Sequence, residues 1–223
     1  MNKELSEAIK VFATKPHKNL SELLLSKSKD QLIVIFTDLL TAYINDRNSS
    51  TLREFITVFL FGYTHHDTKI GYNGFKQSTA IGGEPMACEA KPQNINTEDN
   101  KKRKNPRKLN GGGNFTDYTY KRFNKDLKEN LNILVSGFID GELIYIMEFP
   151  FNCKSFFKNL KKQLKKRFPK AKKAGEFLRS ANFTFKDYQN CRELKLIYLN
   201  KEALNRTKIN FTNNFSNFLN SIR

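Results

Sequence analysis

Apolar residues recur at helical spacing through the first sixty residues of the chain. Positions 5, 9 and 12 begin the pattern, and the runs 20–25 and 32–44 continue it. Hydroxyl side chains at 49–51 precede Leu52-Arg53-Glu54, and hydroxyl oxygens followed by an acid indicate the start of an apolar helix that runs to about Phe61. The pattern predicts a helical N-terminal layer over residues 1–62.

Shorter runs of β type follow, separated by glycines. The piece 85–91 favours a strand, and the runs 131–139 and 142–149 are joined by Asp140-Gly141, which is the strongest short-range signal for a hairpin. Further strands are predicted at 183–185 and 194–199, and helices at 118–131, 153–168 and 211–222.

This order of elements predicts one domain of the α/β (α+β) class over residues 1–223. We expect a central mixed β-sheet of about five strands flanked by helices. Residues 63–151 would form its core and residues 152–223 its C-terminal helices and strands.

The composition changes between residues 94 and 113. KKRK at 101–104, PRK at 106–108 and glycines at 111–113 occur there without apolar periodicity, which predicts a mobile basic loop. The whole chain carries 39 Lys and Arg against 22 Asp and Glu, a formal net charge of +17. Such an excess is usually retained because the partner is a polyanion, so DNA or RNA is expected, with an anionic membrane second.

No membrane-spanning segment and no signal peptide are expected. The apolar stretches are interrupted by polar groups, and the N-terminus lacks an apolar core. Cys88, Cys153 and Cys191 are far apart and form no C-x-x-C pair, which suits a reducing compartment and argues against structural zinc. We therefore expect a cytoplasmic protein.

Glu89-Ala90-Lys91 is the candidate active site. Alternation along a strand places Glu89 and Lys91 on one face and Ala90 on the other. A carboxylate can hold Mg²⁺, and a Lys two residues along can orient or deprotonate a metal-bound water. Since one carboxylate binds Mg²⁺ poorly, a second acid is needed. Asp67 is the first choice, and Glu84 is the alternative, although its odd spacing from Glu89 would turn it to the other face.

Asp67 followed by Glu89-Ala90-Lys91 resembles the motif of the PD-(D/E)xK nucleases, which include many type II restriction endonucleases. The resemblance implies a restriction-endonuclease-like fold, with Asp67 and Glu89 as catalytic metal ligands, the Ala90 carbonyl as a further ligand, and Lys91 activating water. It also implies Mg²⁺-dependent hydrolysis of double-stranded DNA at a short specific sequence by a homodimer, with a cognate DNA methyltransferase as a candidate partner. No Pro precedes Asp67, so the first half of the motif departs from the family pattern.

Two alternatives remain open. An acid, any residue and then Lys occurs five times in this Lys-rich chain, and Glu193-Leu194-Lys195, on a predicted strand, is the main rival. The chain can also be a non-catalytic DNA- or RNA-binding protein that uses the same basic surface.

Polar and basic residues near the motif are candidates for phosphate or base contacts. The expected DNA-binding residues are Gln93, Asn94, Lys101, Lys102, Arg103, Lys104, Arg107, Lys108, Asn114, Thr116, Tyr118, Lys121 and Arg122. The basic helix predicted at 153–168 is interpreted as amphipathic packing with a solvated Lys face, ahead of phosphate contact or membrane attachment.

Overall fold

A computed structural model describes residues 2–45, 50–66, 72–77, 83–95, 100, 102–129, 131–139, 142–169 and 175–222, the side chains of 40–45 excepted. Within these residues the chain forms a six-stranded mixed sheet, a second sheet of two strands, and eight α-helices. The predicted α/β class with a mixed central sheet is therefore confirmed, with six strands where about five were expected. No helix in the described ranges is long and apolar enough to cross a membrane.

The helical N-terminal layer is confirmed. Its helices are α1 Lys3–Thr14, α2 His17–Leu25, α3 Lys29–Asn45 and α4 Thr51–Leu60. Helix α4 lacks the predicted side-chain cap at Ser50, whose hydroxyl makes no capping hydrogen bond. Helix α4 is held instead by burial of Phe55, Ile56 and Val58 against the sheet.

The central sheet contains six strands, which are β1 Thr64–His65, β2 Gly74–Lys76, β3 Met86–Ile95, β5 Leu131–Ile139, β6 Glu142–Pro150 and β8 Lys195–Leu199. They lie side by side in the order β1-β2-β3-β5-β6-β8. Strands β3 and β5 pair in parallel, and the other neighbouring pairs are antiparallel. The hairpin predicted around Asp140-Gly141 is confirmed by the pairing of β5 with β6, although those two turn residues lie outside the described residues.

The remaining elements cover the face of this sheet that lies opposite helix α4. They are β4 Gly113–Tyr118 and β7 Leu178–Phe183, which pair antiparallel, with helices α5 Tyr120–Lys128, α6 Lys154–Arg167, α7 Lys201–Arg206 and α8 Asn213–Ser221. The helix predicted at 118–131 begins only at Tyr120, because β4 extends through Tyr118 and the Thr119 hydroxyl caps the helix by accepting from the Arg122 amide. The strand predicted at 183–185 is the end of β7, followed by a 3₁₀ turn, Phe185–Asp187.

An aromatic cluster fills the space between the sheet and α6. Phe149 stacks on Tyr188 with ring centroids 4.2 Å apart, and Phe156 makes edge-to-face contacts with Phe149 and Phe183. Such pairs add to the free energy gained from burying the rings. Helix α6 and the residues after it are therefore fixed to β6.

Residues at both ends of the predicted basic loop belong to the packed fold. Strand β3 continues to Ile95, and the exposed basic stretch is 102–108. The Asn100 side chain binds both backbone groups of Arg107, and Leu109 is fully buried and forms a bridge with Phe211. The prediction of a mobile loop over 94–113 is therefore wrong at both ends, because pairing and burial fix the flanking residues.

Gly111 and Gly62 allow the stability cost of overpacking to be compared with the cost of backbone strain. Both have positive φ, +62° and +78°, but a Cβ on Gly111 would lie 2.5 Å from the Phe215 ring, whereas one on Gly62 would meet nothing within 4 Å. We expect Gly62→Ala to lower the free energy of unfolding by about 1–2 kcal/mol. Gly111→Ala should cost roughly 1–3 kcal/mol more through overpacking. Urea unfolding measures the free energy of unfolding of both variants. Equal losses of stability in the two would contradict the close packing at Gly111.

Candidate functional site

Glu89 and Lys91 share one face of β3, as the alternation predicts. The Lys91 Nζ lies 2.6 Å from Oε1 of Glu89. Ala90 points to the opposite face, where it packs in a cluster with Val58 and Leu134. Both functional groups project from the part of β3 that pairs with β5, beyond Cys88, where the pairing with β2 stops.

Helix α5 brings a second ion pair to this face. The Arg122 Nη2 lies 3.0 Å from Oε1 of Glu89, and its Nε lies 3.7 Å from Oδ2 of Asp126, one helical turn along. Arg122 thus links two carboxylates that are 37 residues apart in sequence. Its side chain is 35% exposed while that of Glu89 is 7% exposed, so the site opens to solvent beside Arg122.

Two tyrosines hold Asp126 in place. The Tyr118 hydroxyl donates to Oδ2 at 2.9 Å, and the Tyr72 hydroxyl donates to Oδ1 at 3.2 Å. Burial raises the pKa of Asp126, while the hydrogen bond from Tyr118 and the charge of Arg122 act in the opposite direction. Tyr118 is fully buried in this role, which leaves no surface for the DNA contact expected of it.

Strand β4 forms the floor beneath the two cations. The Phe115 ring centroid lies 4.7 Å from Lys91 Nζ and 5.7 Å from Arg122 Cζ, within the range of cation–π attraction. Gly113 allows this approach, because a Cβ there would lie 2.8 Å from the Cβ of Lys91. The glycines at 111–113 therefore allow close packing of the chain against its neighbours.

One oxygen of Glu89 fits a metal ion. Oε1 accepts from both Lys91 and Arg122, whereas Oε2 is buried and has no hydrogen-bond partner among the described residues. A buried acceptor without a partner is costly, and an anionic oxygen is the ligand that Mg²⁺ prefers. The described residues contain no cluster of three or more His, Cys, Asp or Glu side chains suited to a metal, but Mg²⁺ is commonly held by one or two carboxylates with substrate phosphate.

Asn73 supports the strand from the other side. Its Oδ1 accepts from the Ala90 amide at 2.7 Å, its Nδ2 donates to Glu54 at 3.0 Å, and its own amide donates to the Cys88 carbonyl. The backbone hydrogen bonds between β2 and β3 stop just before Glu89. Beyond that point, Asn73 supplies hydrogen bonds to β3 in their place. Asn73 is therefore a positioning residue of the site.

The second acid of the motif is not located by the structure. Asp67 lies outside the described residues, as does Lys101. Glu84 is exposed and precedes β3. The rival motif is divided, because Glu193 lies in a turn and only Lys195 belongs to β8, and both side chains are exposed.

Some of the other residues predicted to contact DNA are bound within the fold, and the rest have exposed side chains. Gln93 binds the Asn110 side chain and accepts from the Gly112 amide, and Asn94 lines an apolar cavity of about 490 Å³ beneath the N-terminal helices. Asn114 is exposed and donates to Ser180 on β7. The remaining candidates with exposed side chains are Lys102, Arg103, Lys104, Arg107, Lys108, Thr116 and Lys121.

Sequence reasoning did not identify Asp126, Tyr72, Asn73 or Phe115 as parts of this site. Arg122 and Asp126 are four residues apart on a predicted helix, and that spacing signals an ion pair. It does not signal contact with Glu89, which depends on the packing of α5 over β3.

No protein-family model matches the chain, and no curated protein sequence is significantly similar to it.

A third buried acid, Glu148, lies on the opposite face of the sheet. Tyr63 donates to its Oε1 at 2.7 Å, and Asn132 donates to the Tyr63 hydroxyl at 3.0 Å. Burial raises its pKa above the ordinary 4.5, while the Tyr63 hydrogen bond and the charges of Lys195 and Lys76 lower it. This network is separate from Glu89 and forms part of the contact with α4.

Because its pKa is raised in the folded state, Glu148 stabilises the fold while it is protonated, and that contribution is lost as the pH rises through the folded pKa. Glu148→Gln should therefore gain stability relative to the unsubstituted protein between about pH 4 and about pH 7. Urea midpoints across this range measure the difference. Glu202→Gln, at an exposed position, is the control. A difference in stability between Glu148→Gln and the unsubstituted protein that stays constant with pH would contradict the prediction.

Proposed function

We propose that this protein is a Mg²⁺-dependent endonuclease that hydrolyses phosphodiester bonds of double-stranded DNA at a short specific sequence, in the manner of a type II restriction endonuclease. The proposal takes Glu89 and Lys91 as its catalytic residues. Its substrate is expected from the formal net charge of +17.

The observation that carries the proposal is the environment of Glu89. This buried carboxylate directs one oxygen to two cations and leaves the other without a described partner. An ion pair serving stability alone gains most when the remaining lone pairs are also satisfied. The unpartnered oxygen is what a metal-binding carboxylate requires.

Each side chain would have a distinct role. Glu89 would hold the metal through Oε2, and Asp126, whose two oxygens accept from Tyr118 and Tyr72, would hold Arg122 in position. The metal would supply Lewis-acid polarisation of the phosphate and a bound water of lowered pKa. Lys91 would orient the attacking water by donating a hydrogen bond to it, and Arg122, the most exposed of the four residues, would neutralise the phosphate.

The fold is compatible with the resemblance noted in the sequence. A mixed sheet flanked by helices is what the PD-(D/E)xK family implies, and Glu89-Ala90-Lys91 lies on one of its interior strands. Asp67 remains a candidate ligand by that resemblance.

A non-catalytic nucleic-acid-binding protein is the alternative. The contacts of Lys91 and Arg122 with Glu89 favour it, because the same three residues can act as a buried ion pair that fixes α5 on β3. Cleavage assays separate the two functions.

Glu89→Gln and Lys91→Met should each reduce Mg²⁺-dependent cleavage of unmodified DNA by about 10²- to 10⁴-fold, since the first removes a metal ligand and the second removes the group that orients the reacting water. Binding of DNA in EDTA should persist. Glu193→Gln and Lys195→Met are matched controls, because they alter the exposed rival motif of the same spacing.

Agarose gels with Mg²⁺ or EDTA measure the cleavage. Discrete bands that need Mg²⁺ and disappear in the Glu89 variant support the proposal. Intact DNA that is nevertheless retarded on the gel would show a binding protein instead.

A homodimer is part of the proposal, because palindromic sites mirror two-fold protein symmetry. Helix α3 exposes Ile33, Val34 and Phe36, which are 53%, 45% and 62% exposed. It carries one Lys and two Asp, so two copies of a strongly basic chain would meet least repulsion along this helix.

Phe36→Ser should therefore shift the molar mass measured by light scattering from that of two chains toward the 25.9 kDa of one. Ile209→Ser removes an apolar side chain that is 79% exposed elsewhere on the surface and serves as control. A Phe36→Ser protein that remains dimeric would place the interface elsewhere.

A further inference from the structure

Helix α6 has an extreme distribution of charge. Seven of its fourteen residues are Lys or Arg and none is acidic. All seven are exposed, and none forms an ion pair with a described residue. We call these seven the lysine face of α6; they are Lys154, Lys158, Lys161, Lys162, Lys165, Lys166 and Arg167.

Helix stability does not explain this face. Lys154, Lys158, Lys162 and Lys166 follow one another at a spacing of four residues, at which like charges repel. Cations near a helix C-terminus interact favourably with the helix dipole, but Lys154 occupies the first turn, where the dipole favours an acid. A solvated face with no binding role is expected to mix both signs of charge, and this one does not.

The opposite side of α6 is committed to the core. Phe156, Leu160 and Leu164 are fully buried, and Gln163 exchanges hydrogen bonds with the backbone of Asn182 on β7. A helix that lies on a membrane inserts its apolar side into the bilayer. Because this apolar side is already packed, the chemistry of the lysine face fits a water-exposed polyanion better than a lipid surface.

The lysine face continues toward the candidate site. At its C-terminal end, Phe168 contacts the Tyr120 ring of α5 with centroids 6.2 Å apart. The next residues of α5 are Lys121, which is exposed, and Arg122, which contacts Glu89. The basic surface of α6 is thus joined through one aromatic contact to the helix that carries the site arginine.

We propose that the lysine face of α6 binds the phosphate backbone of double-stranded DNA and positions the duplex beside Glu89 and Lys91 without reading its bases. The inference rests on the proposed function for the identity of the substrate. Phosphate contacts fix the position of a protein on a duplex and carry no sequence information themselves, so this surface would act on every DNA sequence alike.

The test replaces Lys158, Lys161, Lys162 and Lys165 with Gln in one variant. The matched control replaces Lys3, Lys10, Lys15 and Lys29, four exposed lysines of the N-terminal helices, so that both variants lose the same charge. Binding of a fluorescent duplex of about 30 base pairs and arbitrary sequence is measured in EDTA, from about 50 to about 200 mM salt.

Each phosphate contact contributes about 0.9 to the slope of log affinity against log salt. We expect the α6 variant to lose about 3–4 units of slope and its control to keep the slope of the unsubstituted protein. Equal losses in both variants would attribute binding to net charge alone and overturn the proposal, as would an unchanged slope in the α6 variant. Circular dichroism checks that both variants are folded.

Two further measurements separate the possible failures. If the α6 variant loses binding to anionic vesicles but keeps DNA binding, the surface serves a membrane and the proposal is overturned. If the slope changes as expected but the unsubstituted protein cleaves no DNA with Mg²⁺, the lysine face is established and the proposed nuclease function fails.

Discussion

The parallel pairing of β3 with β5 determines where the candidate site lies. Two parallel neighbours cannot be joined by a tight turn, so the chain between them must leave the sheet, cross one face and return. In this protein the crossing segment supplies β4 and α5. It therefore places Phe115, Arg122 and Asp126 over the face of β3 that carries Glu89 and Lys91.

The buried carboxylate of Glu89 is the electrostatic centre of this arrangement. Transfer of a carboxylate from water to a protein interior is unfavourable unless cations or donors replace the lost water. Lys91 and Arg122 do so on one oxygen, and the aromatic floor at Phe115 stabilises both cations. The two cations are therefore held in fixed positions at the surface of the sheet.

The two faces of the sheet have different tasks. One packs against the N-terminal helices through Thr57 and Ser136, whose hydroxyls lie 2.6 Å apart, and through the Tyr63 contact with Glu148. The other holds the site and the aromatic cluster beneath α6. This division explains why Asn94, which follows Gln93 by one residue, faces the N-terminal helices while Gln93 binds the residues before β4.

Local elements could be predicted from the amino-acid sequence, because hydrophobic spacing and turn residues act over short distances. These elements are the N-terminal helices, the hairpin of β5 with β6, the basic helix and the shared face of Glu89 and Lys91. The sequence did not determine which residues from distant segments meet them. The contacts of Asp126 with Tyr72 and Tyr118, and the burial of Tyr118, depend on the crossing from β3 to β5, whereas the contact of Asn73 with Ala90 depends on the pairing of β2 with β3. These contacts follow from the packing of the fold, because they join residues whose separation in sequence carries no periodic signal.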